Sequence, residues 1–199
     1  MSIAAKPLKA NEYYTYSDYQ KWPEYPRYEL HDGIAVIMET PTYKHQDICG
    51  EIFVQLANFL RGKTCKVFIA PCDVRLGAEQ KDDIVLQPDI LVICDLSKIK
   101  DGKSCKGAPD FVAEVISPTT AGRDRLRKFN YYLNAGVREY WIVDPDGRNV
   151  SVHLLDGEKY IIQMYGEDDK VPVSTLEGCT IDFNNIFPPD EGLETEETQ

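Results

Sequence analysis

The sequence predicts a mixed α/β (α+β) domain, a β-sheet with helices packed on it. Two segments, Lys44 to Arg61 and Arg123 to Ala135, carry apolar residues at helical spacing. Short apolar runs bounded by Asp, Gly and Pro lie between and after them and read as strands. The resulting order, helix, three strands, helix, strand, fits a sheet flanked by helices. At 199 residues the chain can bury a sizeable core without disulfides or a structural metal.

Residues 1–26 hold Tyr13, Tyr14, Tyr16, Tyr19, Trp22 and Tyr25 with weak periodicity, which suggests a short helix and loop packed on the domain. Arg27 to Leu30 and Ile34 to Met38 flank His31-Asp32-Gly33, and two β-type runs around Asp-Gly make an N-terminal hairpin. From Lys44 to Arg61, the apolar residues Ile48, Ile52, Phe53, Leu56, Phe59 and Leu60 define an amphipathic helix ended by Gly62. One strand is expected over 65–76, with a bend at Pro71, a second over 84–94 and a third over 110–116, with polar loops at 77–83 and 95–109. Leu126, Phe129, Tyr132 and Leu133 mark the face of the second helix, which Gly136 ends. Glu139 to Val143 is a strand stopped by Asp144-Pro145. A second, C-terminal hairpin turns at Asp156-Gly157, and residues 171–187 form a last strand and turn.

The 22 Lys and Arg against 33 Asp and Glu leave a net charge of −11, which disfavours a broad non-specific grip on nucleic acid or anionic membrane and leaves room for a local basic site. Nearly half of that excess is five acids within residues 190–199, so 189–199 reads as a solvated, disordered tail. No run approaches the roughly 18 apolar residues of a membrane span, and residues 1–14 have no secretory h-region. Cys49, Cys65, Cys72, Cys94, Cys105 and Cys179 follow neither a disulfide framework nor paired zinc spacing. The expectation is a cytoplasmic protein with reduced cysteines.

Two acids break the local pattern. Glu114 lies inside Phe111-Val112-Ala113-Glu114-Val115-Ile116, a run that reads as a strand buried on both faces. A lone ionised carboxylate there costs several kcal/mol unless it is paired, protonated or bound to a cation. Asp89 opens a similar run, Ile90 to Ile93, after Pro88. Both could be strand-end acids facing solvent or structural salt bridges. If the two strands pair, at about 4.8 Å spacing, the carboxylates converge. Two hard oxygen ligands suit Mg²⁺, and zinc is disfavoured because no His or Cys is near in sequence.

Gln87-Pro88-Asp89, followed 25 residues after Asp89 by Glu114-Val115-Ile116-Ser117-Pro118, resembles the PD-(D/E)xK nuclease pattern. More narrowly, the chain is similar to the Uma2 family of restriction-endonuclease-like proteins from about Arg27 to Pro188. The likeness rests on Arg27-Tyr28-Glu29-Leu30 with Asp32-Gly33, on His45, Pro88-Asp89, Ala108-Pro109-Asp110 and Glu114-Val115 with Ser117-Pro118. It continues with Asp124, Lys128 and Tyr132, Gly136-Val137, and Glu139 to Pro145. The resemblance implies one restriction-endonuclease-like domain over 27–188, with a mixed sheet core flanked by helices. It implies Asp89 and Glu114 as ligands of Mg²⁺, with Mn²⁺ an alternative, and Glu29 as a further acid.

The general nuclease pattern places a lysine two residues after the glutamate, where this chain has Ile116. The resemblance implies that Lys128 of the following helix supplies it. Otherwise Lys128 reads as an exposed partner of Asp124 at i−4. Residues 123–128 carry four bases and one acid, so Arg123 and Arg125 are candidate phosphate contacts, or simply solvated helix residues. His45 is a candidate contact to phosphate or to the site acids. The expected activity is metal-dependent hydrolysis of phosphodiester bonds in DNA, by a chain that acts as a homodimer when it cuts both strands. The alternatives are a nuclease-fold binding module with weak or no catalysis and a nuclease acting on RNA.

Overall fold

Local sequence signals account for most elements of the computed structural model of the protein, which describes residues 12–77, 79, 81–116, 122–184 and 186–188. A short helix, α1 (Tyr16–Tyr19), precedes the hairpin of β1 (Tyr28–His31) and β2 (Ile34–Ile37). Its turn residues Asp32 and Gly33 both take positive φ, 49° and 78°, as a two-residue hairpin turn requires. Helix α2 (Tyr43–Leu60) starts at Thr42, whose hydroxyl accepts the His45 amide at 3.2 Å. There follow β3 (Lys66–Ile69), β4 (Val74–Arg75), β5 (Val85–Leu86), β6 (Ile90–Ile93), a 3₁₀ turn at Leu96–Ile99, β7 (Cys105–Lys106) and β8 (Phe111–Val115). Helix α3 (Gly122–Ala135) ends where Gly136 takes φ 81°. The chain continues through β9 (Glu139–Asp144), β10 (Asn149–Asp156), β11 (Lys159–Gly166), β12 (Lys170–Pro172) and β13 (Thr180–Asp182). The expected acidic tail over 189–199, Ser117, Pro118 and the side chains of Arg123 and Asp124 lie outside the described residues.

The main sheet has six strands in the order β11-β10-β9-β8-β6-β3. Only β8 and β9 run parallel within it, because α3 carries the chain from one end of the sheet back to the other between them. Strand alternation sorts the faces. Phe111, Ala113 and Val115 of β8 pack with Ile48, Ile52 and Leu56 of α2 and with Phe183 and Phe187 of the C-terminal segment. Val112 packs on the other face with Tyr131 and Tyr132 of α3 and with Tyr140. Glu114 shares the parity of Val112, so it points toward α3.

Two expected strands turn out to be broken, and each changes sheet at a proline. The 65–76 segment leaves β3, passes Pro71 and re-forms as β4; the 84–94 segment forms β5, passes Pro88 and enters β6. Proline has no N–H to donate to a ladder, so each strand ends there. The pieces β4 and β5 join β1, β2 and β7 in a second sheet of order β2-β1-β5-β4-β7, and β12 pairs with β13. The cysteine expectation also needs correction. The antiparallel register of β3 and β6 sets Lys66 opposite Ile93, which places Cys65 against Cys94, and their sulfurs are bonded. Cys49, Cys72, Cys105 and Cys179 are free. Among the described residues no helix is long and apolar enough to cross a membrane.

Candidate active site

The register of β6 and β8 pairs Ile90 with Ala113, so Asp89 falls opposite Glu114 one step further. Asp89 directly follows Pro88, where the chain passes between the sheets. Its Oδ2 accepts the Val115 amide at 2.8 Å and lies 3.2 Å from His45 Nε2. Glu114 is 8% exposed. Its Oε1 accepts from the Lys128 ammonium at 3.1 Å and from the Tyr132 hydroxyl at 2.8 Å. Lys128 and Tyr132 are four residues apart on α3 and share one face, which the crossover lays over β8.

Lys128 also reaches Glu29 of β1, with Nζ 3.0 Å from Oε1. Glu29 is buried in the small sheet, where Oε1 accepts the Gln87 amide at 2.8 Å and Oε2 lies 2.8 Å from His31 Nε2. One ammonium therefore ties an acid of the small sheet to an acid of the large one. Lys128 had two readings, an exposed partner of Asp124 or a residue turned inward. Its side chain is 12% exposed and lies between Glu114 and Glu29.

Charge is unbalanced here. Asp89, Glu114 and Glu29 surround a single lysine. Burial pushes the Glu114 carboxyl up to about 7, aided by the charges of Asp89 and Glu29 and opposed by Lys128. Burial alone would raise Glu29 too, but Lys128 and His31 outweigh it and hold Glu29 below the usual carboxylate range. The same acids hold Lys128 charged against its own desolvation. Burial likewise works against the charged form of His45, and the hydrogen bond to Asp89 reverses it, leaving His45 easier to protonate than a free histidine.

The donor set fits a divalent cation. Among the described residues the hydrogen bonds to Asp89 fall on Oδ2 and those to Glu114 on Oε1, which leaves Oδ1 and Oε2 as free lone pairs. Two carboxylates and water are the usual protein contribution to a Mg²⁺ site. Softer donors, absent near Asp89 in sequence, do approach it in space. His45 and Cys49, one turn apart on α2, bring a nitrogen and a sulfur to Asp89, and one atom of each residue lies within 4.8 Å of the others. The long sequence gap from 45 to 89 hid this. Burial keeps the Cys49 thiol protonated, which weakens it as a ligand.

Arg125 is exposed and lines a separate shallow groove with Leu126, Phe129 and Met164. The structure thus brings Asp89, Glu114, Glu29, Lys128 and His45 together and leaves Arg125 outside. Tyr132 stands in the motif without a role in the sequence reading, although its spacing from Lys128 already placed both on one face. His31 and the Gln87 amide, which hold Glu29, were not legible as partners.

A six-stranded mixed sheet with one parallel crossover and a carboxylate–lysine cluster where two sheets meet defines a restriction-endonuclease-like fold. A family model described as "Uma2: Putative restriction endonuclease" matches residues 16–184, and the chain belongs to this family. It is similar in fold to the crystal structure of "a putative nuclease belonging to DUF820" from Anabaena variabilis, with a TM-score of 0.71 and 23% identity over 87% of this chain and 97% of that one. An uncharacterized protein of Synechocystis sp. is 26% identical over 165 residues, 80% of this chain and 84% of its own length. A second uncharacterized Synechocystis protein is 25% identical over 115 residues, 56% of this chain and 63% of its own. The family points to a nuclease, and with it to a divalent metal and a nucleic-acid substrate.

Proposed function

We propose that the protein is a Mg²⁺-dependent endonuclease that hydrolyses phosphodiester bonds of DNA, with Mn²⁺ able to replace Mg²⁺. The observation that carries this reading is the position of Lys128. From α3 it delivers an ammonium to Glu114 at 3.1 Å, which supplies the base that Ile116 cannot. Asp89 and Glu114 would hold the cation. A cation bound there supplies positive charge to a phosphate oxygen and acidifies water.

The chain's own residues do the rest. An ammonium has three N–H donors; Glu114 and Glu29 take two of those of Lys128. The third is available to orient the attacking water or to stabilise charge on the phosphorane. Glu29 keeps Lys128 charged and in place. Tyr132 fixes the rotamer of Glu114 through Oε1. His45 positions Asp89 through Nε2. Cutting both strands of a duplex takes two such sites, supplied by two copies of the chain acting in the cytoplasm.

The test is cleavage of plasmid, single-stranded DNA and RNA by purified protein with Mg²⁺, Mn²⁺ or EDTA. Cleavage that EDTA abolishes, and that Glu114→Gln and Lys128→Ala each remove, is the expected result. Activity surviving Glu114→Gln overturns the assigned site, and preference for RNA overturns the DNA substrate. A protein that takes up no Mn²⁺ at millimolar concentration is a binding module instead.

A further inference from the structure

A cleft of about 750 Å³ has on its lining Gln87, two residues before Asp89. Its walls carry four aromatic rings, Tyr19, Trp22, Tyr28 and Phe68. Trp22 is braced edge-on by Tyr14 at 5.2 Å and Tyr28 at 5.5 Å, and Tyr19 lies 5.2 Å away. A ring held by three others gives up little freedom when a flat ligand stacks on it.

Gln87 and Asp73 are among the polar groups on the cleft's lining. Gln87 is 7% exposed, its amide nitrogen donates to Tyr19 Oη and Asp73 Oδ1 at 2.9 Å each, and its carbonyl Oε1 has no hydrogen-bond partner. A buried unpaired carbonyl is costly unless a bound donor satisfies it. Tyr19 donates to Asp73 Oδ1 at 2.8 Å, so among the described residues the hydrogen bonds to Asp73 fall on Oδ1 and leave Oδ2 open. Gln87 and Asp73, hydrogen-bonded to each other, thus bring one unfilled acceptor each to a cleft with aromatic walls, with the cations of Arg27 and Lys103 also on its lining.

Gln87 also connects the cleft to the chemistry. It is two residues before Asp89, a separation of at most about 7 Å along the backbone. Its backbone N–H donates to Glu29 Oε1 at 2.8 Å. A nucleotide whose phosphate lies at Asp89 can therefore place its base here.

We infer that the cleft is a nucleobase subsite which takes one unstacked guanine next to the scissile phosphate. The inference rests on the nuclease reading for its place in the reaction, though not for the binding itself. Guanine fits the acceptor pair because its N1–H and N2–H₂ donors are adjacent on one edge. Adenine and cytosine offer an amino group beside an acceptor nitrogen. Thymine flanks its single N–H with two carbonyls, which would face Asp73 and Gln87. A base stacked between rings cannot remain in a duplex stack, so the strand presented is single or has this nucleotide flipped out.

The experiment is titration of the whole protein in EDTA with dGMP, dAMP, dCMP, dTMP, deoxyribose 5-phosphate and inorganic phosphate. Binding is read by calorimetry and by tryptophan fluorescence. Trp141 is fully buried in the core, so a fluorescence change reports Trp22. The expected result is dGMP binding at least about tenfold tighter than dTMP, the scale of one bidentate base contact. Asp73→Asn is expected to erase that preference, and Trp22→Ala to weaken every nucleotide while Trp22→Phe restores them. The order among the wild-type titrations stands by itself should a variant not fold. Equal binding of dGMP, deoxyribose phosphate and phosphate, or no nucleotide binding at millimolar concentration, overturns the subsite. Binding of dGMP by a protein that cuts no polymer upholds the subsite and ends only the nuclease reading. Cleavage without dGMP binding does the reverse.

Discussion

Glu114 and Glu139 stand on the parallel neighbours β8 and β9, and both are buried. Their surroundings differ in kind. The oxygens of Glu139 are met by neutral donors, the Trp141 indole at 2.8 Å and the Thr175 amide at 2.7 Å. Glu114 is held through one oxygen by a lysine and a tyrosine, beside two further carboxylates. Glu139 is closed by its own fold, whereas Glu114 has lone pairs left and a surplus of negative charge around it. Burial of an acid is therefore no signal of chemistry, and an unbalanced set of partners is.

The largest effect that can break this contrast is catalytic. Glu114→Gln is expected to lower phosphodiester cleavage by at least about 100-fold, a loss typical of removing a charge-stabilising group, while the melting temperature holds or rises. Glu139→Gln is expected to do the opposite. It points an amide donor at the Thr175 N–H or the Trp141 N–H and costs roughly 1–3 kcal/mol of unfolding free energy in urea, with cleavage retained at temperatures where the variant is folded. Loss of cleavage in a fully stable Glu139→Gln protein would show that the two glutamates are not different in kind.

Next is Lys128→Ala, which leaves Glu114 and Glu29 buried without their cation. Breaking a buried ion pair costs about 3–5 kcal/mol. Part of that loss should return on adding Mn²⁺, which can neutralise the same acids, and a thermal melt with and without the ion measures it. Indifference of the variant to Mn²⁺ would remove the argument from surplus charge. Tyr132→Phe is a smaller change, expected to cost about 1 kcal/mol and one hydrogen bond to Glu114. Cleavage should drop roughly tenfold, as for other groups that orient a ligand.

The smallest expected effect concerns pH. In EDTA the folded Glu114 titrates near 7, above the 4.5 of an unperturbed glutamate. Between these values the folded chain holds a proton that the unfolded chain has lost. Glu114 therefore stabilises the fold at low pH, and its contribution fades as pH rises through about 7. Melting temperatures of wild type and Glu114→Gln should diverge on going from pH 5 to 8, with the wild type losing ground. A constant difference would mean that Glu114 is charged throughout.

Much of this fold was legible because its signals are local. Asp32-Gly33, Gly62 and Gly136 mark boundaries by backbone geometry, and the faces of α2 and α3 follow from spacing. Glu114 was legible as well, since an acid inside an apolar run demands an explanation. The second sheet was not. Pro71 was read as a bend and Pro88 as lying within one strand over 84–94, but which sheet a strand joins after a proline depends on partners far along the chain. The pairing of Cys65 with Cys94 and the approach of Cys49 to Asp89 share that origin, whereas His45 was already a candidate contact to the site acids. Lys128 is intermediate. Spacing allowed it to face either way, and only the crossover over β8 decides.

The tie from Glu29 through Lys128 to Glu114 also has a mechanical side. It adds one shared ammonium to the Tyr131–Asp32 and Gln87–Glu29 hydrogen bonds that also hold the first hairpin. Any anion that competes for that ammonium slackens both anchors at once. Events at a phosphate should then be felt as faster hydrogen exchange in β1 and β2, so the hairpin works as a pointer whose deflection registers what the buried charge is holding.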